Sequence, residues 1–146
     1  VDRVDDRVLG RAVAAGRVVF GLAMLFAPGL VLRSVAEERP GPLVWMCRAF
    51  GIRDVVLGAG ALRELAGDDP GAAARWVEMG AVADSTDTVA ALVWRRELGW
   101  SGTLATWALA VPAALAGFRA AAGLRRAAAP PAVPQTPVGP STSEAP

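Results

Sequence analysis

Residues 47–62 read CRAFGIRDVVLGAGAL. The run has the length and apolar character of a helix in a greasy environment, yet it carries Arg48, Arg53 and Asp54. Each such charge at the centre of a membrane helix costs about 2.5–3.5 kcal/mol on insertion scales. Charges persist there when they face the interior of a helix bundle and pair with one another. The decisive question is therefore whether the rest of the chain supplies partners of opposite sign on neighbouring helices.

It does. Three further apolar segments stand out, giving four in all: residues 12–32, 43–62, 76–94 and 98–118. The last holds 21 residues without a charge between Glu97 and Arg119. As a helix it spans about 32 Å, close to the roughly 30 Å hydrocarbon core of a bilayer. Pro112 lies inside it, which membrane helices tolerate when neighbours satisfy the freed carbonyl. The first segment carries Arg17, and the third carries Glu78, Asp84 and Asp87. The intramembrane inventory is thus Arg17, Arg48 and Arg53 against Asp54, Glu78, Asp84 and Asp87, nearly balanced in sign.

Helical periodicity places these groups. Asp84 and Asp87 are three apart and share a face with Val77, Gly80, Ala81, Thr88 and Ala91, a small and polar surface that permits close helix approach. Asp54 shares a stripe with Phe50, Gly51, Gly58 and Ala61. Arg48 and Arg53 project about 100° to either side of that stripe, near enough for long stems to curl inward. Arg17 aligns with Gly21, Met24 and Pro28. The expected architecture is all-α: a four-transmembrane-helix bundle over residues 1–126, with a charge-paired polar seam where the first three helices meet. Glu78 projects about 120° from Asp84 and is expected near the water interface.

The remaining composition narrows the function classes. The chain has no histidine or tyrosine and a net charge of +1, which removes imidazole chemistry and argues against a nucleic-acid partner. Cys47 is the only cysteine, so no internal disulfide forms and no metal or other cofactor site is expected. The opening VDRVDDRVLGR does not follow the basic-then-apolar order of a secretory signal, so the first segment is expected to be retained. EERPGP and AGDDPG punctuate the chain between segments, and the short RRELG link implies a hairpin of the last two helices. Residues 127–146 hold six of the eleven prolines and read as a disordered tail.

Two further patterns point to a bilayer as partner. Trp45, Trp76, Trp94 and Trp100 fall at segment ends, where an interfacial belt places indole. All fifteen basic residues are arginines. Eight of them (3, 7, 11, 63, 75, 119, 125 and 126) lie on the side of the termini, and four (33, 39, 95 and 96) on the other. The positive-inside rule then puts both termini in the cytoplasm of a multi-pass protein of the cell membrane.

The series Arg48, Gly51, Arg53, Asp54, Gly58, followed a helix later by Asp84 and Asp87, resembles an uncharacterised family of small four-helix integral membrane proteins common in actinobacteria. The resemblance covers roughly residues 11–124. It implies the fold and carries no activity.

Three functions fit the seam. The buried network can specify how helices dock, making the protein a scaffold or accessory subunit. Alternatively, Asp84, Asp87 and Asp54 are candidate catalytic groups of a membrane enzyme acting on a lipid, isoprenoid or other amphiphilic ligand. They would act by acid chemistry or by holding Mg²⁺ against a diphosphate, with Arg17, Arg48 and Arg53 as candidate substrate-binding groups. The DxxD spacing carrying that idea is common by chance, and no DGxxAR run or second aspartate cluster accompanies it. The third reading is proton or small-solute transport, which four short helices support only as a homo-oligomer.

Overall fold

A computed structural model describes residues 5–34 and 38–129. They form α1 (Asp6–Phe26), a short α2 (Pro28–Val31) running into a 3₁₀ turn (Leu32–Ser34), α3 (Gly41–Ala66), α4 (Pro70–Val93) and α5 (Arg95–Ala128), with no strand among the described residues. Residues 130–146, most of the expected tail, lie outside the described residues.

Local chemistry sets most helix ends. Asp5 caps α1 by accepting from the Arg7 N–H at 2.9 Å. At the other end Ala27 leaves the helical region (φ −127°, ψ 49°) and Pro28 opens α2. The predicted single segment over 12–32 is therefore two helices, broken at Ala27, where the ring of the following proline disfavours the helical conformation. α3 stops before Gly67, and Arg7 and Arg11 from α1 both donate to the Leu65 carbonyl, at 3.2 and 3.0 Å. Asp69 caps α4 from the position before Pro70, accepting from Gly71 at 2.8 Å and Ala72 at 3.0 Å. In α5, Gly99 has φ 69° and ψ 168°, a conformation only glycine adopts cheaply. It separates one turn at 95–98 from a long run at 100–128. The expected link RRELG is thus mostly helical, and the helix axis breaks at its glycine. Helical dihedrals continue through Pro112.

All four long helices start before the predicted segments, and α3 and α5 also end after them, because the apolar criterion stops near the first charge whereas a capped helix does not.

α1 packs chiefly on α3 and α4 on α5; α3 with α4, and α1 with α5, close the arrangement. Successive long helices run antiparallel: Gly21 meets Gly51 and Ala14 meets Gly58 across the α1–α3 contact, and Trp107 meets Thr88 across α4–α5. The α1–α3 contact is backbone on backbone. A Cβ on Gly51 would lie 2.6 Å from the Gly21 carbonyl oxygen, and one on Gly58 would lie 2.7 Å from the Ala14 oxygen.

The interior is built of small residues and charges, and the outside of large hydrophobes. Buried positions on α1 are Gly10, Ala14, Arg17 and Gly21, and on α3 they are Cys47, Gly51, Asp54, Gly58, Ala61 and Leu65. Leu65 and Thr103 are the largest side chains fully hidden among the described residues. Val19, Phe26, Val56, Val89, Leu109 and Leu115 are all more than half exposed. A more conventional apolar cluster sits at the end of the bundle nearest the α3–α4 connection, where Leu65, Val77 and Leu124 pack with alanines under Trp76.

Two predictions follow from this packing. Gly51→Ala is expected to lower the thermal stability of the protein by the equivalent of about 1–3 kcal/mol, the usual cost of overpacking. Gly16→Ala, where an added Cβ meets nothing within 4 Å, should leave it unchanged or slightly raised. The second concerns Asp69, whose carboxyl is held below the usual carboxylate range, chiefly by the N–H of Ala72 and further by that of Gly71. A depressed folded-state pKa contributes stability above the unfolded-state value and loses it as pH falls through the folded-state value. Melting curves of Asp69→Asn and the natural protein should therefore differ near neutral pH and converge on acidification.

Candidate functional site

Five ionic side chains from three helices join near the middle of the bundle in one alternating chain: Asp84, Arg17, Asp54, Arg53, Asp87. Arg17 of α1 is the hub. Its Nη1 donates to Asp54 Oδ1 at 3.0 Å, and its Nη2 donates to Asp84 Oδ2 and to the Gly80 carbonyl at 2.9 Å. The guanidinium lies against α4 because residue 80 has no side chain; a Cβ there would sit 3.1 Å from Arg17 Nε.

Arg53 forms the second half. Its Nε and Nη2 donate to Asp54 Oδ1 at 3.3 and 3.2 Å, and its Nη1 and Nη2 grip Asp87 through both oxygens at 3.0 and 2.6 Å. The two-pronged contact is the geometry in which a guanidinium fork binds a carboxylate most strongly. Phe50 places its ring 5.2 Å from the Arg53 guanidinium carbon, within cation–π range.

Burial is graded along the chain. The side chains of Arg17, Asp54 and Asp84 are 6–10% exposed, whereas Arg53 and Asp87 are about a third exposed, at 32% and 30%. The inner half is enclosed and the outer half opens at the α3–α4 groove. Among the described residues no buried side-chain nitrogen or oxygen lacks a hydrogen-bond partner. The cleft beside Arg17, lined by Gly10, Ala14, Gly58, Trp76 and Gly80 among others, has a volume of about 10 Å³, no more than one water needs.

Five of the six groups singled out in the sequence come together: Arg17, Arg53, Asp54, Asp84 and Asp87. Arg48 does not. It is exposed on α3 and has no ion-pair partner among the described residues. It follows Trp45 by three residues and precedes Ile52 by four, and all three share the outward face. Arg53, on the other flank of the Asp54 stripe, faces α4. Glu78 lies outside the network and pairs with Arg125 of α5.

Three anchors were not read from the sequence. The Gly80 carbonyl is the third acceptor of Arg17. Trp107 Nε1 donates to the Thr88 carbonyl at 3.0 Å, and the buried Thr103 hydroxyl donates to Gly99 O at 3.0 Å. Trp107 left a legible signal: it is the one tryptophan away from a segment end, and an indole N–H in an apolar setting requires an acceptor. Trp76 departs from the belt pattern, since its ring lies over Gly60, whose Cβ would meet it at 2.3 Å.

Chemically, the arrangement pairs every one of its three carboxylates with one of two guanidiniums. Asp84 and Asp87 share a face, but each is held by a different arginine, so a cation bridging them would have to displace both guanidiniums. Among the described residues, no three acidic or cysteine side chains converge as a metal site. The chain matches no protein-family profile, no curated protein and no solved structure.

Asp54→Ala should destabilise the protein by about 1.5–3 kcal/mol, the scale of a lost hydrogen bond to a charged group, since it removes the carboxylate that joins Arg17 to Arg53 and leaves each guanidinium with one acid. Ser85→Ala removes only a hydroxyl bonded to the Ala81 carbonyl one turn back and should cost less than about 1 kcal/mol. Thermal denaturation compares the two directly, and equal melting temperatures would contradict the assignment.

Proposed function

We propose that the protein is a small multi-pass component of the cell membrane, crossing it four times with both termini in the cytoplasm. Its role is that of a scaffold or accessory subunit whose helices are locked by the Arg17 network. One observation carries this reading: the charges at mid-bundle point in and the large hydrophobes point out. Two helices, α1 and α5, are by length and composition apolar enough to cross a membrane. Only 28% of the apolar window of α1 and 39% of that of α5 is buried, whereas the core helix of a soluble protein hides most of its apolar residues. A water-exposed surface bearing Val19, Val56, Val89, Leu109 and Leu115 would be an aggregation hazard; facing lipid, it is the expected one.

α3 and α4 carry too many charges to pass on composition. Yet Asp54 and Asp84 are buried within the bundle, and Arg53 and Asp87 turn toward each other. At 26 and 24 residues these helices are about 39 and 36 Å long, enough to span roughly 30 Å. The cytoplasmic assignment of the termini rests on the arginine bias, and membership of the actinobacterial family is proposed on the residues that suggested it. The scaffold role is favoured over catalysis because every carboxylate of the network is already held by a guanidinium, and the cleft beside it is too small for a substrate.

The test is fractionation followed by site-directed labelling. The protein should stay with membranes through an alkaline carbonate wash. In a Cys47→Ser background, Arg96→Cys should react with an impermeant maleimide in intact cells, and Asp68→Cys only after permeabilisation. Release by carbonate would refute the spanning reading, and the reverse labelling pattern would invert the topology.

A further inference from the structure

The two ends of the bundle treat their arginines differently. At the end bearing the α3–α4 connection, most guanidiniums are engaged. Arg7 and Arg11 cap the last carbonyls of α3, Arg75 faces Asp69, Arg125 pairs with Glu78, and Arg126 faces Asp6. At the opposite end Arg33, Arg39, Arg48, Arg95 and Arg96 are all exposed. None of these five forms an ion pair among the described residues. The acids described at that end are Glu38 and Glu97, so positive charge is in excess there.

Three tryptophans stand at the same end. Trp45 is 71% exposed near the start of α3, and Trp94 and Trp100, at 55% and 66%, flank the first turn of α5. Indole that far out of the protein, with its body against lipid and its N–H toward headgroups, marks an interfacial depth. Arg48 lies one turn further into α3 than Trp45, where a long stem can lift its guanidinium to the phosphate layer.

We infer that this arginine- and tryptophan-bearing end is a binding surface for anionic phospholipid headgroups. The inference rests on the spanning reading above. The chemistry is direct: a guanidinium with no carboxylate partner gains a bidentate phosphate contact. Basic residues near an anionic surface gain attraction that falls off within a Debye length. At the opposite end Arg7, Arg11, Arg75, Arg125 and Arg126 already hold protein acceptors, so that end has less to offer a lipid.

The tryptophans supply the readout. The full-length protein is reconstituted into vesicles of equal phosphatidylcholine and phosphatidylglycerol, with bromine quenchers carried on the acyl chains of one lipid or the other. Brominated phosphatidylglycerol should quench tryptophan fluorescence more than brominated phosphatidylcholine at the same mole fraction, and high salt should reduce the excess. The combined variant Arg33→Gln, Arg39→Gln, Arg95→Gln, Arg96→Gln should abolish the preference, while Arg63→Gln with Arg119→Gln at the other end should keep it. Equal quenching by the two lipids in vesicles that retain the protein overturns the inference. Failure of the protein to incorporate at all, with no quenching by either lipid, overturns the spanning reading on which it rests.

Discussion

One guanidinium holds three helices. Arg17 reaches from α1 to Asp54 on α3 and to both Asp84 and the Gly80 carbonyl on α4, so the positions of these helices are coupled at a single point near mid-bundle. The direct contact of α1 with α4 is slight, and Arg17 supplies the connection across it. A buried ion pair is weak as a source of net stability, since desolvation offsets most of its attraction. Its influence lies in what happens when it is mismatched. Sliding α3 by one turn would leave Arg17 beside Gly51 or Gly58 in place of Asp54 and would carry Arg53 away from Asp87. The network thereby penalises wrong registers far more than it rewards the right one.

That constraint explains the interior. A hub arginine reaches two neighbours at once only if the helix backbones are close, and closeness demands small residues. Gly21, Gly51 and Gly58 bring α1 and α3 into backbone contact, and Gly80 clears a seat for the guanidinium on α4. With glycine and alanine filling the seam, there is little room for the large side chains that ordinarily supply 1.5–3 kcal/mol each, as a rough range, when buried from water. They are on the outside. The pattern of small residues inside and large ones outside is therefore a consequence of close backbone packing around internal polar contacts.

The seam was legible because its chemistry and its period coincide. On α3 the residues Gly51, Asp54, Gly58 and Ala61 recur at three- and four-residue steps, as do Val77, Gly80, Ala81 and Asp84 on α4, and both sets are buried. What periodicity does not encode is handedness, that is, on which flank of α3 its second neighbour lies. Arg48 and Arg53 are near-mirror positions about the Asp54 stripe, and only packing decides that α4 takes the side of Arg53. Helix ends were less legible for a different reason. The cap at Asp5, the re-start at Pro28 and the break at Gly99 are backbone events, whereas a hydropathy boundary reports only where charges begin. The Gly80 carbonyl was invisible because a main-chain acceptor leaves no mark in a list of side chains.

The graded burial of the network accounts for one residue that otherwise looks misplaced. Phe50 neighbours Gly51 on the inner stripe of α3 and yet is 42% exposed. Its ring lies against the Arg53 guanidinium, the member of the network that is a third open. Alternatives at this position fail on physical grounds: an aliphatic side chain would cover the cation without attracting it, and a carboxylate would add a fourth acid to a set that already has three for two arginines. An aromatic face offers attraction, about 0.5–2 kcal/mol depending on desolvation, without adding formal charge. The ion-pair chain therefore runs from a hub sealed among glycines to an outer pair screened by a ring, and the helices α3 and α4 can diverge there without leaving Arg53 bare.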